Sequence, residues 1–207
     1  MRTPIAGLRL RSQLQLKQNL AESARAGLIE IEAEAARLTH LLDQMLTLSK
    51  LDSRELIGQA TPVDAVKIAR QVIERHLPQA IGRNIDLGYE GESTPVPILA
   101  NDVLLAEMLA NLVDNAIRYG RPDGYVTVSV RRSSNLNTIE VADDGPGLQD
   151  TDKLRLFQRF YRSDSGAPGG AGLGLSIVRE IAERYGGRLS IDSQPGACRF
   201  RVDFAAS

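Results

Sequence analysis

Three stretches of this chain hold residue types whose spacing could do chemistry. Asn111 and Asn115 stand four residues apart in a segment whose apolar periodicity predicts a helix from 102 to 119, so their amides share one face. Asn is a mediocre helix former. Beside Leu109, Leu112, Val113 and Ile117 the pair sits at the edge of a core, where an amide oxygen can ligate a hard cation such as Mg²⁺. Two ordinary polar helix positions would read the same way. The second stretch, Asp143-Asp144-Gly145-Pro146-Gly147, follows a predicted strand. A carboxylate at a strand end with glycines behind it lets a planar ligand lie close to the backbone, although a plain turn often has this composition too. In the third, Gly166-Ala167-Pro168-Gly169-Gly170-Ala171-Gly172-Leu173-Gly174-Leu175, five glycines open into an apolar-periodic helix. Exposed amides at such a helix N-terminus can seat a phosphate. The spacing is neither the dinucleotide G-x-G-x-x-G nor a P-loop, because no Gly-Lys-Ser/Thr follows, and a flexible linker is the alternative.

These stretches need elements to position them. The chain has 207 residues, 43% apolar and 25% charged, enough to bury a sizeable core. A net charge of −1 gives no long-range pull toward nucleic acid or an anionic membrane. A single cysteine, Cys198, excludes an internal disulfide and a cysteine-rich zinc site. No apolar run approaches the roughly 20 residues of a membrane-spanning helix, and the start is not signal-like, so the chain reads as soluble. Residues 5 to about 60 have helix composition, with Leu28, Ile31, Ala35, Leu38, Leu42 and Met45 forming one seam at spacings of three and four. A shorter amphipathic helix with Ile5, Leu8 and Leu14 precedes it, and Asn19 to Ser23 can turn between them. The result is a helical hairpin that buries too little alone, so a homodimer forming a four-helix bundle is expected.

A boundary near Gly58 to Pro62 divides the chain into domains 1–58 and 59–207. Beyond it, Asp64 caps a helix to about His76, Asn84 to Tyr89 reads as a strand, and Asn101 or Asp102 caps the helix that ends at Tyr119. Strands follow at Tyr125 to Arg132 and Thr138 to Ala142, then a helix from Leu173 to Tyr185, then strands at Arg188 to Asp192 and Arg199 to Phe204. The expected architecture is α+β, one sheet with helices on a single face.

The order of the motifs is what gives them specificity. Asn111-Leu-Val-Asp-Asn115-Ala-Ile-Arg118-Tyr119, Asp143-Asp-Gly145-Pro-Gly147, Phe157-Gln-Arg-Phe160-Tyr161-Arg162 and Gly170-Ala-Gly172-Leu-Gly174-Leu175 resemble the N, G1, F and G2 boxes of bacterial two-component sensor histidine kinases. Upstream, Met1-Arg2-Thr3-Pro4-Ile5 resembles the tail of the H-box, His-Glu-x-Arg-Thr-Pro, and Leu42 to Asp52 resembles the end of the second dimerisation helix. That resemblance covers nearly the whole chain. It implies a dimerisation and histidine-phosphotransfer hairpin, then an α/β-sandwich ATP-binding domain of Bergerat type.

Carried over residue by residue, the resemblance makes Asn115 the amide ligand of Mg²⁺, puts Asn111 near the phosphates, and makes Arg118 a phosphate partner. Tyr119 packs against the adenine, and Asp143 accepts a hydrogen bond from its amino group. Gly145 and Gly147 let the base lie against the backbone. Phe160 belongs to the nucleotide site. Gly170, Gly172 and Gly174, with Leu173 and Leu175, close over the phosphates as a lid, and Arg162 reaches the γ-phosphate. The activity implied is transfer of the ATP γ-phosphoryl to a histidine and then to an aspartate on a response regulator receiver domain. Thr3 is implied as the residue that positions water for dephosphorylating the regulator. If Arg-Thr-Pro aligns so, the accepting histidine falls two positions before Met1, and the chain is expected to be the cytoplasmic portion of an inner-membrane receptor. His40 and His76 are poor substitutes, one off the seam and one at a helix end. Gyrase-like ATPases carry a glutamate where this chain has Asn111; Glu107, one turn earlier, is an outside candidate for that base. A binding and dimerisation module without turnover, or a stand-alone ATPase, are the other readings.

Overall fold

The computed structural model describes residues 22–52, 60–153, 155–161 and 172–206. Two compact units divide the chain, 1–50 and 51–207. In the first, helix α1 (Glu22–Asp52) carries the predicted seam. That seam resolves into two rows of seven-residue spacing. Ala35 is buried and Leu28 and Leu42 are half-buried, whereas Ile31, Leu38 and Met45 stand about half exposed. The shorter preceding helix and Thr3 lie outside the described residues.

The second unit begins with β1 (Thr61–Asp64), a short strand, and α2 (Ala65–Ile81). Asp64 caps α2 as expected: its Oδ1 accepts the Val66 amide at 3.0 Å and also the Val96 amide at 3.2 Å. The helix runs past His76 to Ile81 with Pro78 inside it. Proline removes one helical hydrogen bond, but burial of Ala80 and the bonds Gly82 N to Pro78 O (3.1 Å) and Ile85 N to Ala80 O (2.9 Å) hold the last turn. Strands β2 (Asp86–Gly91) and β3 (Pro97–Ala100) follow, then α3 (Asp102–Tyr119), with Asn101 as its cap, accepting the Leu104 amide at 3.1 Å. Next come β4 (Tyr125–Arg132), β5 (Leu136–Asp143), a single turn α4 (Asp150–Lys153), α5 (Gly174–Arg184), β6 (Arg188–Gln194) and β7 (Ala197–Ala205).

The strands form two sheets among the described residues, where the sequence suggested one. β1 and β3 pair antiparallel as a two-stranded sheet, and the main sheet has the order β2-β4-β5-β7-β6. β2 runs parallel to β4; the other neighbours are antiparallel. Alternation along each strand explains the layering. Val126, Val128 and Val130, then Ile139 and Val141, then Phe200, Val202 and Phe204 face a core with α3, which packs between α2 and α5. The other face carries cross-strand charge pairs such as Arg201–Glu140 (2.7 Å) and is solvated. Asp143 ends β5 on the core-facing side, at the same end of the sheet as the C-terminus of α3.

Candidate functional site

The chain brings three backbone segments together around Asp143. The carboxyl is 5% exposed, and its Oδ1 accepts the Gly145 amide at 2.9 Å. Asp143 has no other hydrogen-bond partner among the described residues. Burial pushes the carboxyl up to about 6, with the Gly145 bond working against that shift and Asp144 adding to it. Opposite Asp143 in the register of β7 is Cys198, whose thiol is pushed up to about 11 by burial and then by the neighbouring carboxylate.

Glycine is required here for packing against the chain itself. A Cβ on Gly145 would come 2.6 Å from Asp143 Oδ1 and 2.9 Å from Tyr119 O. Gly147 has φ of +79°, and a Cβ there would meet Gln194 O at 2.6 Å. The turn between β6 and β7 locks onto this loop. Gly196 N donates to Gly145 O at 3.0 Å, and Leu148 N donates to Ser193 Oγ at 2.9 Å. The sequence reading assigned these glycines to a ligand; the structure adds a prior reason internal to the fold.

On α3, Asn111 is buried and Asn115 half-buried. Nδ2 of Asn111 donates to Glu107 O at 2.9 Å and to Glu107 Oε1 at 3.3 Å, which turns the amide nitrogen toward the start of the helix. Asn115 has no hydrogen-bond partner among the described residues, so its amide is available. Arg118 pairs with Asp114 at 3.2 Å across one turn. Tyr119 is exposed at the helix end, next to Asp143 in space through Gly120, whose added Cβ would lie 3.8 Å from Asp143 Cβ.

Sequence reasoning missed Arg83, in the turn after α2. Its Nη1 donates to Ile117 O and to Arg118 O, the latter at 2.6 Å, and Nη2 reaches Gly120 O at 3.4 Å. A lone arginine in a polar turn carries no pattern, and its partners lie 34 to 37 residues away; nothing in the sequence could have shown it.

Farther along, Phe160 sits at φ of +64°, is exposed, and donates its amide to Gly172 O at 2.8 Å. Gly172 has φ of +71°, and a Cβ there would clash with Tyr161 O at 2.6 Å, so glycine is needed. Leu173 is buried, and Gly174 and Leu175 open α5. Arg162 and Gly170 lie outside the described residues. The structure therefore unites Asp143, Gly145, Gly147 and Tyr119 at one sheet end, with Asn111, Asn115 and Arg118 on the adjoining helix; Phe160 is tied to the start of α5 through Gly172. His76 is half-buried in α2, its Nδ1 2.8 Å from Val72 O.

Comparison with known proteins places this geometry. The family described as histidine kinase-, DNA gyrase B- and HSP90-like ATPase matches residues 100–206. The sensor protein kinase PmrB of Pseudomonas aeruginosa is 34% identical over 192 residues, which cover 92% of this chain and 40% of that protein. Full-length ShkA, solved in complex with AMPPNP, is 27% identical, covers 100% of this chain and 44% of its own, and superposes with a TM-score of 0.77. The histidine kinase ThkA, solved with the response regulator TrrA, shares the fold at 23% identity, over 99% of this chain and 57% of its own, with a TM-score of 0.73. The chain thus spans less than half the length of the curated relative PmrB.

Proposed function

Since the chain belongs to the histidine kinase-, DNA gyrase B- and HSP90-like ATPase family, as the catalytic core of a two-component sensor histidine kinase, we propose that it binds Mg²⁺–ATP at Asp143 and α3. The γ-phosphoryl then goes to a histidine of the N-terminal hairpin and on to an aspartate of a response regulator. One observation carries the reading: a buried carboxyl at a strand end uses one oxygen to fix its own loop and has no further protein partner among the described residues. That is the acceptor an adenine amino group needs.

The other residues fit the same ligand. Asn115 offers an unengaged amide oxygen to the metal. Mg²⁺ usually keeps several waters and leans on the substrate phosphates, so Asn115 would be the residue of this chain that holds it, and the ion would supply neutralisation of the phosphate charge. Bound nucleotide supplies the phosphoryl group; the chain supplies position and charge. Tyr119 covers the base, Asn111 and Arg118 face the phosphates, and Gly170, Gly172 and Gly174 with Arg162 close the site. Phosphatase activity through Thr3 belongs to the same proposal. So do a homodimer through α1 and a location on the cytoplasmic side of a membrane receptor; among the described residues no helix is long and apolar enough to cross a membrane. The absence of a glutamate at position 111 supports slow hydrolysis.

Two measurements test this. Calorimetric titration should detect Mg²⁺–ATP binding, and Asp143→Ala should weaken it by about ten- to a hundredfold, the value of a lost hydrogen bond to a charged acceptor. A chain carrying an H-box histidine two residues ahead of Met1 should gain acid-labile, base-stable phosphate on that histidine when given Mg²⁺–ATP. Tight nucleotide binding with no label on that histidine would leave only a binding module.

A further inference from the structure

We propose that Arg83 is a positioning residue for the nucleotide site, holding the C-terminal end of α3 in place beneath the Asp143–Gly147 loop. This rests on the nucleotide reading above. The last carbonyls of any helix lack partners within it. Many helices satisfy them with a following residue in the left-handed conformation, whose amide turns back on the last turn. That device is absent from α3: Gly120 has φ of −60° and ψ of 163°, an extended conformation, and its amide reaches only Ala116 O at 2.8 Å. Ile117 O and Arg118 O are taken instead by the Arg83 guanidinium, and Gly120 O lies at its edge.

A planar fork with several fixed donors suits this task, and its charge complements the negative end of the helix dipole. The turn that carries Arg83 is itself pinned to the segment after α3. Asn84, at φ of +54°, donates Nδ2 to Asp123 Oδ1 at 3.1 Å, Asp123 N donates to Arg83 O at 3.3 Å, and Asp86 N donates to Gly124 O at 2.9 Å. Arg83 is therefore anchored on both sides.

The segment it caps is the floor of the site. Tyr119 O and Gly120 Cα lie 2.9 and 3.4 Å from where a Gly145 Cβ would be, so the loop that orients Asp143 rests directly on this backbone. The same turn carries Arg118 and Tyr119. Release of the two carbonyls lets the last turn of α3 fray, and the floor, the Gly145 amide and the two side chains move with it.

The test uses the whole chain in three forms, wild type, Arg83→Met and Arg83→Lys, with Ile139→Val as a control for ordinary destabilisation. Mg²⁺–ATP affinity is measured by calorimetry well below the unfolding temperature, and amide exchange is followed in the nucleotide-free protein. The expected result is an affinity about tenfold weaker in Arg83→Met, a smaller loss in Arg83→Lys, and faster exchange at Gly120 and Gly145 in both, with neither change in the control. If Arg83→Met does not fold, Arg83→Lys alone decides. Unchanged Gly145 exchange and unchanged affinity in a folded Arg83 variant overturn the proposal. Wild-type chain that binds no nucleotide overturns the nucleotide reading instead, and Gly145 exchange still reports on Arg83.

Discussion

Asp143 shows at the scale of one residue how a site can work against the fold that holds it. Its carboxyl is pushed up to about 6 chiefly by burial. Between about pH 4 and 6 the folded chain therefore holds a proton that the unfolded chain has released, and stability falls as pH rises through that window. A shift of this size corresponds to about 3 kcal/mol. Asp143→Asn removes the ionisable group while keeping an oxygen for the Gly145 amide. It should melt about 9 °C above wild type at pH 8, with the difference closing below pH 4, as followed by thermal denaturation at both values. A gain that persists at pH 3.5 would assign it to something other than the charge. The same variant should bind Mg²⁺–ATP poorly, because its NH₂ group then faces the adenine amino group, donor against donor. The two asparagines separate in the same way. Asn111 bonds to Glu107 and is buried, whereas Asn115 has no partner among the described residues. Asn115→Ala should weaken Mg²⁺-dependent nucleotide binding with little change in melting temperature, and Asn111→Ala should also cost about 1 kcal/mol of stability. Equal destabilisation by both would put Asn115 among the structural residues.

At the scale of elements, what the sequence made legible follows from local physics. Helix α3 ends where its periodicity and its Asn101 cap place it, and β4 has the predicted bounds, because alternation and capping are written within a few residues. Strands β1 and β3 were not legible. Each is four residues long and contains a proline, and each gains its identity only by pairing with the other. The parallel pairing of β2 with β4 and the Arg83 cap are likewise made by contacts between distant segments. Of the site, the residue types and their order were legible; the packing of Gly145 and Gly147 against the chain's own carbonyls was not. For α1 the spacing reads as a single seam, which the structure splits into a more covered row of Leu28, Ala35 and Leu42 and an open row of Ile31, Leu38 and Met45. That open row supports the proposed dimer, since three apolar side chains at heptad spacing match the face a partner helix would cover. Leu38→Glu would place an unpaired carboxylate in such an interface, and light scattering should then report a monomer. A persistent dimer would move the interface elsewhere.

At the scale of the molecule, the division into two compact units separates the two tasks proposed for the chain. The proposed nucleotide site, its floor and its Arg83 cap all lie in 51–207, and every strand of both described sheets does too. The core beneath them, from Val126 through Ile139 to Phe204, is likewise built within the second unit. Residues 60–207 expressed alone should therefore fold cooperatively and bind Mg²⁺–ATP with an affinity within about threefold of the whole chain, while losing self-association. The physical reason is that binding energy comes from contacts inside one unit, whereas association would come from the open row on α1. Calorimetry and sedimentation on the same sample check both halves. If the shortened chain folds but its affinity drops tenfold or more, the first unit contributes to the nucleotide site and the separation of tasks fails. If it binds normally and still self-associates, the second unit carries an interface of its own.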